Sequence, residues 1–354
     1  GDTTSTSKEI DLKITQEKNI TALFQLKKYP LNISIVGNGT VTEQIIKNKA
    51  KEYDYGSLIY LKANPALGSI FLGWSGDTTS TENDIIILMN KEKNLTAEFK
   101  DSFYLHENGV TIMCPDASNG ETGDINGIEF TKRSKDQITV ENASTTCTSG
   151  ISSMENLFSG LTDFNEDISH WDVSSVNNMK TMFFNNHLFN QDISNWDVSN
   201  VRNMEQMFSG AKFFDQFIGK WDVSNVNNMR GMFGAKSFNQ PIGDWDVSSV
   251  TDMSFMFSGA QQFNQGIGDW NVSNVENMKG MFQGPELPFN QPIGDWDVSS
   301  VTDMSMMFNN NKAFNQKIGS WDVSNVINME KMFPYSSVFN QDIGLWNVKN
   351  VQNM

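Results

Sequence analysis

From about residue 150 onward the chain repeats itself every 25 residues or so. Tryptophan marks the step at 171, 196, 221, 245, 270, 296, 321 and 346. Methionine keeps the same step from Met154 to Met354. A fixed period of this length constrains folding strongly. One unit cannot bury its apolar residues alone, whereas stacked units bury them between neighbours.

In the unit Ile193–Phe208 the large apolar positions are Ile193, Trp196, Val198, Val201, Met204, Met207 and Phe208. Trp196-Asp197-Val198 alternates apolar and polar, which predicts a strand. Met204, Met207 and Phe208 stand at i, i+3 and i+4, which predicts one face of a short helix with Asn203 as its N-cap. The expected fold is an α/β repeat solenoid over 151–354, with tryptophans on a parallel sheet and helices opposite. A smaller, mainly-β module precedes it.

The run I193-x-x-W196-x-V198-x-x-V201 looks like a leucine-rich-repeat strand with Trp and Val in place of Leu. The full unit, FNQDIxxWDVSNVxNMxxMF, resembles the repeat of BspA-like bacterial surface proteins. That resemblance implies a leucine-rich-repeat-like solenoid, extracellular display at the cell surface, and an adhesive or recognition role. It implies no catalytic residues.

The N-terminal part carries a second repeat. GDTTSTSKEIDLKITQEKNITALF at 1–24 recurs as GDTTSTENDIIILMNKEKNLTAEF at 76–99. The chain therefore reads as the C-terminal part of one β stalk repeat (1–24), a complete repeat (25–100), a cap (101–150) and the repeat array (151–354), within a longer protein. Leu31–Val36, Ser57–Ala63, Asp84–Met89 and Asn94–Phe99 are expected strands, and GNGT at 37–40 an expected hairpin. Thr42–Glu52 fits a helix or a strand. The stretch from Ala63-Asn64-Pro65 to Gly73-Trp74-Ser75-Gly76-Asp77 resembles the divergent internalin-type B-repeat, a stalk module of bacterial surface proteins.

Both cysteines, Cys114 and Cys147, lie in the expected cap. In an extracellular protein they are expected to be bonded; two buried thiols are the alternative. Asp116 to Gly127 is rich in oxygen ligands but lacks EF-hand spacing, so calcium competes there with a plain Gly-rich turn. No other cofactor is expected.

The net charge of −16 argues against nucleic acid and anionic membrane as partners. No apolar run reaches spanning length, so no membrane insertion is expected. His106, His170 and His187 show no metal or triad spacing, and an enzyme is not expected.

Three columns of the repeat bear on binding. The tryptophans are read as core, against an exposed sugar platform. The aspartate after each Trp (172, 197, 222, 246, 297, 322) should face outward. Neighbours about 4.8 Å apart repel by roughly 1 kcal/mol in water, so the serine two residues on or bound cations must offset this. The residue before each Trp varies from unit to unit: His170, Asn195, Lys220, Asp244, Asp269, Asp295, Ser320, Leu345. A varied column on a constant frame suits recognition, although exposed positions also drift without purpose. The expected ligand-binding residues are Lys220, Asp244, Asp246, Asp269, Asp295 and Asp297. The expected partner is a host or neighbouring-cell surface protein or glycan. The competing function is a structural spacer or assembly subunit without its own ligand.

Overall fold

The computed structural model describes residues 5–44 and 52–354. They divide into two compact units, one ending at Asp101 and the other beginning at Ser102.

The first unit is built from β1 (Lys28–Tyr29), β2 (Leu31–Val36), β3 (Gly39–Gln44), β4 (Tyr53–Asp54), β5 (Leu58–Pro65), β6 (Ser69–Gly76), β7 (Asp84–Leu88) and β8 (Lys93–Asp101). Three-stranded sheets run β2-β8-β6 and β3-β5-β7, and β1 pairs with β4. The alternating residues Ile59, Leu61, Ala63 of β5 and Leu95, Ala97, Phe99 of β8 are buried together with Trp74, as strand periodicity requires. GNGT is not a hairpin: β2 pairs in parallel with β8, while β3 pairs with β5. The turn carries the chain from one sheet to the other. Gly37 is needed there, because φ is +83° and a Cβ would sit 2.1 Å from the Phe99 carbonyl oxygen. Residues 42–44 belong to β3, which removes a helix at that point; 45–51 lie outside the described residues. Residues 5–27 carry no strand.

The second unit opens with β9 (Tyr104–Leu105), β10 (Ile112–Met113), β11 (Thr122–Ile125), β12 (Ile128–Lys132) and β13 (Thr146–Cys147), with short 3₁₀ turns at Lys135–Gln137 and Ala143–Thr145. Cys114 and Cys147 form a disulfide and are fully buried.

From residue 151 the expected α/β leucine-rich-repeat solenoid is overturned. No α-helix occurs among the described residues, and the regular structure consists of small antiparallel and mixed sheets that end at Cys147. The repeats are turns, joined by single-residue parallel bridges such as Asn178 to Asn203 and Asn203 to Asn228.

Hydrogen bonding explains the difference. In the Met204 to Gly210 segment the N–H groups of Met204, Gln206, Phe208 and Gly210 donate to carbonyls of the next unit, at Asn228, Arg230, Met232 and Gly234. The N–H groups of Met207, Ser209 and Ala211 donate back three residues. Alternate donors thus close local turns and reach across units. A helix would keep them all within the segment. Left-handed backbone at Gln206 (φ 52°) and Gly210 (φ 77°) also breaks the helical path. Asn203 is not a helix cap; its Oδ1 accepts the Glu205 N–H at 2.9 Å, closing a local turn.

The tryptophan side is not a sheet either. Its cross-unit bonds come from side chains. The Trp196 indole N–H donates to the Ile168 carbonyl (3.2 Å), and Trp221 to Ile193 (3.1 Å). Asn200 and Asn225 amides donate to the Ser174 and Ser199 carbonyls. Between the two sides Phe208 stacks on Phe214 at 3.9 Å and on Phe233 of the next unit at 6.1 Å. Tryptophans 171 to 321 are buried, and Trp346 is half-buried.

Candidate functional site: the acidic columns beside the tryptophans

The tryptophans are core and form no open sugar platform. Burial still alternates around tryptophans 196 to 321, though no strand is present. Asn195 and Asp197 are exposed on either side of Trp196, and Val198 is buried. The constraint is packing: Trp and Val must both reach the interior, so the residues between and before them point to solvent.

Lys220, Asp244, Asp246, Asp269, Asp295 and Asp297 are all exposed. They stand one residue before or after buried tryptophans 221, 245, 270 and 296, so consecutive units set them side by side. The first unit departs from this pattern. His170, in the same varied column, is buried, and so is Asp172. The Ile112 N–H donates to the His170 carbonyl (2.8 Å), and His170 Nε2 lies 3.0 Å from the Thr146 carbonyl oxygen. Burial therefore holds the His170 imidazole below its ordinary pKa, with the Thr146 bond and the Asp167 charge opposing. His106, Asn108 and Thr111 close over Trp171, Asp172 and Asp197 in a cleft of about 80 Å³. The exposed columns thus begin at the second tryptophan, a limit the repeat itself did not reveal.

The aspartates after Trp are held by the serines two residues on. Ser199 donates both its hydroxyl (2.6 Å) and its N–H (3.1 Å) to Asp197 Oδ1, and Ser224 does the same to Asp222. Hydroxyl and backbone bonds from Ser248, Ser299 and Ser324 hold Asp246, Asp297 and Asp322 below the usual carboxylate range. Asp322 pushes Asp297 the other way, a sign that neighbours in the column feel each other. At Asp246, Asp297 and Asp322 these bonds favour the ionised carboxylate.

The FNQ asparagines form a ladder at the surface. Asn190 Oδ1 accepts the Asp215 N–H (3.0 Å), and Asp215 Oδ1 accepts the Asn239 N–H (2.9 Å). Asp215 fits because only an acceptor is needed at that place. The oxygen-rich stretch before Gly127 is occupied by turns: Asp124 accepts the Gly127 N–H, and Glu121 the Ser118 N–H. Among the described residues no group of three or more His, Cys, Asp or Glu side chains is gathered to hold a metal. No helix among them is long and apolar enough to cross a membrane.

A family model described as "Mycoplasma protein of unknown function, DUF285" matches residues 129–235, 215–287 and 285–354. A second, the "Divergent InlB B-repeat domain", matches residues 29–102. Comparisons with curated proteins and with solved structures gave no match. The two families together support a bacterial surface repeat protein. The first match begins inside the segment read as a cap. There the Trp171 indole donates to the Ala143 carbonyl at 3.0 Å. Ala143 lies 28 residues before its tryptophan, as Ile168 does before Trp196. It occupies the place of the isoleucine in an incomplete unit.

Proposed function

The chain belongs to the family described as "Mycoplasma protein of unknown function, DUF285", and from that premise we propose that it is a cell-surface or secreted recognition protein. It binds a protein or glycan of a host or neighbouring cell through the exposed columns beside Trp221 to Trp296. One observation carries this reading. The buried residues of these units barely change, while the exposed residue before each tryptophan runs Lys220, Asp244, Asp269, Asp295. Asp222, Asp246 and Asp297 add carboxylates on the other flank. Such a face concentrates cations, and suits a basic protein surface or an acidic glycan bridged by calcium.

The test replaces Asp244, Asp269 and Asp295 together by Ser, the residue at 320 in the same column. Binding of parent and variant to immobilised oligolysine, and to a glycan array with and without calcium, is measured across a salt series. The variant should fold as the parent does, bind more weakly at low salt and depend less on salt. Equal binding at every salt concentration would move the site to the loops that follow each Met-Phe pair.

A further inference from the structure

At the first repeat the backbone ladder has a donor with nothing to bond. In every later unit the residue two before the repeat methionine donates its N–H to its counterpart one unit back: Asn177 to Ser152, Arg202 to Asn177, Asn227 to Arg202, and so on to Gln352, at 2.8–2.9 Å. Ser152 occupies this position in the first unit and has no counterpart before it. Its N–H has no protein acceptor among the described residues.

Ser152 is exposed and lines a groove of about 470 Å³ together with Lys132, Arg133 and Lys135. Three cations stand there in a chain of net charge −16, with Asp136 as the only carboxylate in the lining. The charges of Asp116, Glu121 and Asp172 also reach Lys132. None of the three cations forms an ion pair among the described residues. Lys132 Nζ donates to the Cys114 and Pro115 carbonyls, and Arg133 Nη1 to the Thr145 carbonyl and Thr146 hydroxyl. Both cations are thus positioned by neutral oxygens, and Arg133 keeps its remaining N–H groups. Partial burial lowers the pKa of each, so both carry charge at a desolvation cost that an anion would relieve. The rest of the lining is hydroxyl and amide, from Ser134, Ser149, Ser152, Ser153 and Asn119, with Ile151 as the apolar member.

We propose that this groove binds the carboxylate of an acidic sugar, a uronate unit of a glycan. The planar guanidinium matches a carboxylate in a way a point charge does not. The Ser152 N–H supplies the bond its counterparts make to a carbonyl, and the serines and Asn119 meet sugar hydroxyls. The volume is that of a small-ligand site. This site is separate from the acidic columns and opposite to them in charge.

The test uses the full chain. Amide NMR shifts are followed on adding glucuronate, glucose or acetate. Glucuronate should move the Ser152 and Gly150 amides selectively, with glucose having no effect and acetate a much weaker one. Lys135→Glu should weaken glucuronate binding at least tenfold without changing the melting temperature. No movement of the Ser152 amide in the unmodified protein would overturn the proposal, whatever the variant does. So would acetate binding as well as glucuronate, which would indicate a carboxylate site indifferent to sugar.

Discussion

Trp245 offers the sharpest test of how the repeats hold together. It is 4% exposed and packs on Phe233, with ring centroids 6.0 Å apart. Its indole N–H donates to the Ile218 carbonyl of the preceding unit at 3.1 Å. Replacing it by Ala removes a buried aromatic side chain between two neighbours and should cost about 3–5 kcal/mol. Trp245→Phe separates the terms. It keeps most of the apolar volume and loses the hydrogen bond. Ile218 still accepts the Trp221 N–H at 3.1 Å, so its carbonyl is not orphaned and the cost of losing the bond should lie near 1 kcal/mol. Because a repeat array need not unfold in one step, hydrogen exchange is the right assay. The amides to follow are Met229, Gly231 and Phe233, which donate to Asp252, Ser254 and Met256 of the next unit. A loss below about 1 kcal/mol for Trp245→Ala would refute the reasoning.

Two further outcomes follow from the same geometry. Burial lowers the His170 pKa, so the folded state resists the proton that the unfolded chain accepts; stability should be full above about pH 6.5 and fall as pH drops below it. His170→Gln should flatten that slope in melting curves run from pH 7.5 to 5. Met306 sits at φ 59° in the column where other units place Gly231 and Gly280 at φ 60°. Met306→Gly should relieve left-handed strain worth about 1–2 kcal/mol, less what the half-buried side chain contributes. A small net gain in urea resistance is expected, and a clear loss would show that the side chain matters more than the backbone.

Much of the packing was legible in the sequence, and the hydrogen bonding was not. The period, the burial of Trp, Val, Met and Phe, and the exposure of the residues flanking tryptophans 196 to 321 all follow from which side chains avoid water. Those inferences are independent of backbone type. The inference from i, i+3, i+4 to a helix was not independent. Met204, Met207 and Phe208 do share an interior, but a three-residue turn returns side chains to one side much as a helix does. Gln206 in the left-handed region left little trace in the sequence, although Gly231 and Gly280 in the same column pointed to it. The alternation of Trp196-Asp197-Val198 likewise arises without a strand, because side-chain donors take over the cross-unit bonding.

The candidate sites divide along the same line. The acidic columns were visible because exposure and variation are properties of side chains read one unit against another. The groove at the first repeat was not visible by that comparison, since it depends on what a unit lacks. Ser152 differs from Asn177 or Arg202 in having no unit before it, not in its own chemistry. The basic run of Lys132, Arg133 and Lys135 lies in the segment expected to be a cap. Its meaning comes from folding against the one place where the ladder begins. The first unit of a stacked array exposes donors that every other unit satisfies. The same segment that covers its apolar end, through Ala143 against Trp171 and Thr146 against His170, brings three cations to the polar edge beside Ser152. The two roles are separable by mutation. Changing Lys135 should leave the covered end intact, whereas changing His170 should loosen it without altering the charge of the groove.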